Sequence, residues 1–152
     1  MNKELLEIKK QMQGARNILK DLQGIQTIHL YEPGEGTIAQ IKLEKMGVLS
    51  GYKEPDMVRE YNETYQAVAD FLKWKTGLAN GQKIYLLLSN GIWSEVKILD
   101  VDHFIKSYFH LEYCNSFGIA FIDADMKKCM SMDPIREMNI IYCMMNMKFY
   151  FD

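Results

Sequence analysis

Histidine and cysteine are scarce, three of each in 152 residues, and that limits the chemistry available. Zinc needs three or four Cys, His or carboxylate ligands at a recognisable spacing. The chain has no CxxC, HExxH or HxH. A Ser or Cys nucleophile would depend on His29, His103 or His110 as base, and no GxSxG elbow accompanies them. Cys114, Cys129 and Cys143 are odd in number, widely spaced and set in apolar surroundings. They predict reduced core thiols in a cytoplasmic protein, not a disulfide framework. No catalytic residue, metal or cofactor is expected.

Blocks of one charge are missing as well. The formal charge is −2, with both signs scattered, and nothing in the sequence would neutralise several phosphates in a row. A nucleic-acid partner is therefore not expected. No run approaches the ~20 apolar residues of a membrane span, and MNKELLEIKKQ lacks the apolar stretch and cleavage site of a secretory leader. Glycine-rich phosphate loops are also absent. EPGEG supplies only GxG, without a third glycine or a Lys-Ser/Thr pair, between flanks that read as strands.

Methionine, by contrast, is plentiful: 11 in all, seven of them between Met126 and Met147. Its thioether fills irregular core gaps and also lines adaptable binding surfaces.

Periodicity then organises the chain. Leu5, Ile8, Met12, Ala15, Leu19 and Leu22 recur at spacings of three and four, which predicts a helix over about 2–23. Asn2 is its N-cap and Gly24 its stop. The heptad-like stripe either docks on the protein's own sheet or joins a homodimer through Leu5, Ile8, Met12 and Leu19. Alternation at Ile28 and Leu30, then at Ile38, Ile41 and Leu43, predicts a strand pair over about 26–45. A second amphipathic helix is expected over about 55–76. Pro55 and Asp56 suit its start, Val58, Tyr61, Tyr65, Val68 and Leu72 make its stripe, and Gly77 ends it. An antiparallel meander over about 83–151 follows. It begins with a hairpin whose Asn90-Gly91 favours a two-residue turn. In DHFIKSYFHLEYC, Asp102 would cap a short helix and the alternation from Ser107 favours a strand. The fold class is thus α+β: an N-terminal helix and a second amphipathic helix packed on one face of a mainly antiparallel sheet of about five to seven strands, in a single domain over 1–152.

Two Asp-x-Asp pairs end predicted strands, Asp100 and Asp102 in ILDVD and Asp123 and Asp125 in FIDAD. With Glu95 and Lys97 in SEVK they sketch a small metal-dependent phosphodiesterase or nuclease, the glutamate holding a divalent ion and the lysine activating water. Against this, the preceding strand IYLLLSN offers no carboxylate, and the chain lacks the basic surroundings that a polyanion substrate favours. The plainer reading of FIDADMKKC is a polar turn leaving the sheet.

The leading expectation is a non-catalytic protein-binding domain, an inhibitor or immunity-type protein whose carboxylates complement a partner protein such as a basic toxin or enzyme. The expected contact residues are Trp74, Trp93, Tyr108, Glu112, Asp123, Asp125, Tyr142 and Met144. An oligomeric structural subunit joined through the N-terminal helix is a further alternative.

Overall fold

In the computed structural model, the backbone is described for residues 2–52, 57–63, 70, 73–74, 77–88, 90–110, 119–126, 128–135 and 143–151. Side-chain environments are described for residues 2–45, 70, 73–74, 77–88, 90–108, 120–126 and 129. The chain is α+β with an antiparallel sheet.

Helix α1 spans Lys3–Asp21. The Asn2 side chain accepts from Glu4 N at 3.0 Å, satisfying one of the amides that a helix start leaves unpaired. Met12, Ala15, Ile18 and Leu22 are buried along one side, with Ile8 and Leu19 packed beside them. Three of the four residues proposed for a homodimer seam are thus turned to the protein's own core, and only Leu5 is largely exposed. Gly14 weakens the helix by roughly 1 kcal/mol relative to alanine. It also gives Asn90 room, since a Cβ there would lie 3.3 Å from Asn90 Nδ2, which donates to Gln11 O at 2.8 Å.

Strand β1 spans Ile25–Leu30, and α2 follows over Ile38–Tyr52. The expected strand pair over 26–45 is therefore corrected: its second half is helical, and β1 pairs with a strand some 70 residues further on. Thr37-Ile-Ala-Gln40 carries the reason. Thr37 Oγ1 accepts from Gln40 N at 3.3 Å, and Gln40 Oε1 reaches back to Gly36 N at 3.3 Å, a close relative of the capping box. In the helical period Ala39, Gln40 and Leu43 turn inward, whereas Ile38 and Ile41 stay exposed.

Strand β2 spans Met57–Glu63 and pairs antiparallel with β7, Cys143–Phe151. The helix expected over 55–76 is corrected across this stretch. Valine and tyrosine suit a pleated surface, and the pairing with β7 decides between the two periods. Residues 70 and 73–74 are helical.

Strands β3 (Lys83–Leu87) and β4 (Trp93–Ile98) form the hairpin. Leu88 N donates to Ile92 O at 2.8 Å, so the loop is one residue longer than the expected two-residue turn. Gly91 takes the left-handed conformation at φ +85°. Helix α3 then covers Val101–His110, which replaces the strand expected from Ser107 and interrupts the expected meander. Its cap is Asp100, not Asp102: Asp100 Oδ1 accepts from His103 N at 3.0 Å. Asn80 Oδ1 takes the Val101 amide at 2.9 Å. Strands β5 (Ile119–Asp123) and β6 (Lys128–Ile135) follow among the described residues.

The strand order begins β1-β4-β3-β5, and the ladder runs on through β6 and β7 to β2. Every pairing is antiparallel. Alternation along the strands gives two faces. On one, Ile84, Leu86, Val96, Ile98 and Phe121 are buried against α1 and against Val101, Phe104, Ile105 and Tyr108 of α3. On the other, Tyr31, Trp93, Ile122 and Cys129 are buried with Leu43 of α2. Helices therefore cover both faces, not one as expected. The buried Ser94 Oγ donates to His29 O at 3.0 Å beside a register shift between Thr27 and His29, and Ile28 is left exposed there.

Candidate functional site

The hairpin register decides where the carboxylates go. β4 and β5 flank β3 on either side, with Ile84 opposite both Val96 and Asp123. The ends of β4 and β5 consequently lie at the same end of the sheet, two strand spacings or about 10 Å apart. ILDVD and FIDAD are thus neighbours in space, which their separation in sequence conceals.

The Asp100 and Asp102 carboxylates are committed locally. Asp100 caps α3 and also meets His103 Nδ1 at 3.1 Å. Asp102 pairs with Lys73 Nζ at 2.9 Å, and Asp70 meets the same ammonium at 3.3 Å. The two carboxylates hold the Lys73 pKa above its ordinary value, with the Asp102 hydrogen bond the larger cause. Asp123 ends β5, and its carbonyl accepts from Met126 N at 2.9 Å, closing a four-residue turn with Met126 at φ +57°. Asp125 is exposed within that turn. FIDADM is therefore the turn between β5 and β6.

The Lys73 bridge fixes the 70–74 segment beside the start of α3. It brings with it Trp74, which is 73% exposed. Leu99, 52% exposed, precedes the cap. Aspartates at positions 70, 100, 102, 123 and 125, with Trp74 and Leu99, make this end of the sheet an acidic rim with apolar anchors. Lys83 and Lys97 face one another across the β3–β4 pair.

Glu95 and Lys97 adjoin the Val96–Ile84–Asp123 row but project on the α2 side of β4, the face opposite Val96. Glu95 is opposite His29 on β1 and Tyr85 on β3. Tyr31 Oη donates to Glu95 Oε2 at 3.4 Å. Burial, then the Glu95 charge, pushes the Tyr31 phenol up to about 12, and the same two causes raise Tyr85. His29 Nε2 meets Glu35 Oε1 at 2.9 Å, and Thr37 Oγ1 donates to Glu35 Oε2 at 2.8 Å. The Thr37 hydrogen bond is the main reason the Glu35 carboxyl lies below its usual range, with His29 second. The sketched phosphodiesterase set is thus divided between two regions. Among the described residues, no three His, Cys, Asp or Glu side chains lie close enough to share a metal ion.

Of the expected contact residues, Trp74 and Asp125 are exposed and Asp123 is half-buried at the rim. Trp93 and Tyr108 are corrected: at 7% and 1% exposure both are core, on opposite faces of the sheet. Glu112 and Tyr142 lie outside the described residues, as does the Met144 side chain; the Met144 backbone is part of β7. Sequence reasoning missed α2, although Thr37-x-x-Gln40 before an apolar stretch was the available signal. It also missed a groove of about 320 Å³ at the opposite end of the sheet, lined by Ile8, Lys9, Met12, Gln13, Arg16 and Glu32. No described helix is long and apolar enough to cross a membrane.

No protein-family model, curated protein or solved structure matches the chain.

Proposed function

We propose that this chain is a non-catalytic protein-binding domain, an inhibitor or immunity-type protein of the cytoplasm that neutralises a basic partner protein. The observation that carries the reading is the exposed Trp74 held beside Asp70 and Asp102 by Lys73, with Asp123 and Asp125 at the same end of the sheet. Tryptophan is the side chain most enriched among residues that dominate binding energy, and a rim of carboxylates steers a cationic partner toward it. The sharing of Lys73 between two aspartates leaves that trio with a net negative charge. The buried thiol of Cys129 suits a reducing compartment. Division of Glu95 from the rim aspartates weighs against the phosphodiesterase reading, and burial of Met12 weighs against a seam of helices.

Affinity capture from the native cell, with the purified protein as bait, tests this. One basic protein should be retained at about equal stoichiometry by the wild type. It should be lost with Trp74→Ala combined with Asp125→Lys, a variant whose exposed positions keep stability within roughly 0.5 kcal/mol of the wild type at each site. Equal retention of that protein by both forms would refute the proposed surface, and recovery of nucleic acid in its place would refute the partner class.

A further inference from the structure

We draw no further inference here: the strongest candidate, the outer face of α2 on which Ile38 and Ile41 stand exposed one turn apart, is bordered by charge of both signs at Lys42, Glu44 and Lys45, and nothing in the structure shows what covers it.

Discussion

Gly24 joins α1 to β1, and replacing it with alanine should be unusually costly. Its φ is +69°, a conformation that costs an L residue about 1–2 kcal/mol. The space is closed too: an added Cβ would lie 2.3 Å from Asp100 O and 2.9 Å from Phe104 N. Both contacts are backbone, so no side chain can swing away. Relief requires the start of α3 to move off Gly24. That movement threatens the hydrogen bonds that Gly24 O accepts from Leu99 N at 2.8 Å and from Asp100 N at 3.0 Å. Loss of such bonds costs about 1 kcal/mol each. The sum is about 3–4 kcal/mol, or roughly 10 °C in melting temperature for a chain of this size. Gly34→Ala is the matched control. Its φ is +75° but nothing lies within 4 Å of the added Cβ, so only the conformational cost of about 1–2 kcal/mol remains. Urea unfolding of the two variants, followed by tryptophan fluorescence, measures the difference. Equal destabilisation would refute the claim that close approach of α3 fixes glycine at this position.

Tyr31 gives a pH signature. Its folded pKa of about 12 exceeds the unfolded value of 10.0, so the folded state holds the proton more tightly. The associated stability is complete below pH 10, falls as pH rises between 10 and about 12, and should fall less steeply in Tyr31→Phe; the high-pH arm of a stability-versus-pH curve checks this. Thr37→Ala removes the α2 cap and should lower stability by about 1 kcal/mol, read as a melting point roughly 2–4 °C lower. A Thr37→Ser variant that retains the wild-type melting point would assign the effect to the hydroxyl. The Lys73–Asp102 pair is partly exposed, with relative side-chain exposures of 30% and 55%. A double-mutant cycle with Lys73→Ala and Asp102→Ala should therefore give a coupling of no more than about 0.5 kcal/mol, reduced by salt.

What the sequence itself determined is local. Asn2 as a cap and the three-and-four spacing to Leu22 specify α1, because a helix closes its hydrogen bonds within four residues of neighbouring chain. Asn90-Gly91 between apolar runs specifies the β3–β4 hairpin for the same reason, although the loop is longer than the dipeptide alone suggests. FIDADM reads as a turn after a strand from its own residues. Even the missed α2 carried a local signal in Thr37 and Gln40.

The rest was decided in three dimensions. Residues 57–63 hold apolar side chains compatible with either period, and pairing with β7 some 90 residues away makes them a strand. Trp93 and Tyr108 look as suitable for an interface as Trp74 does, yet two are core and one is exposed. Burial depends on what packs against a side chain, and α2 and the β3–β4 hairpin do not announce their partners. The candidate surface arose in the same way. Asp102 and Asp123 are 21 residues apart in sequence and share one end of the sheet only because β3 inserts between β4 and β5. A strand's hydrogen bonds are all made to other strands, so the sequence can specify that a strand exists while the assembled sheet alone determines its neighbours.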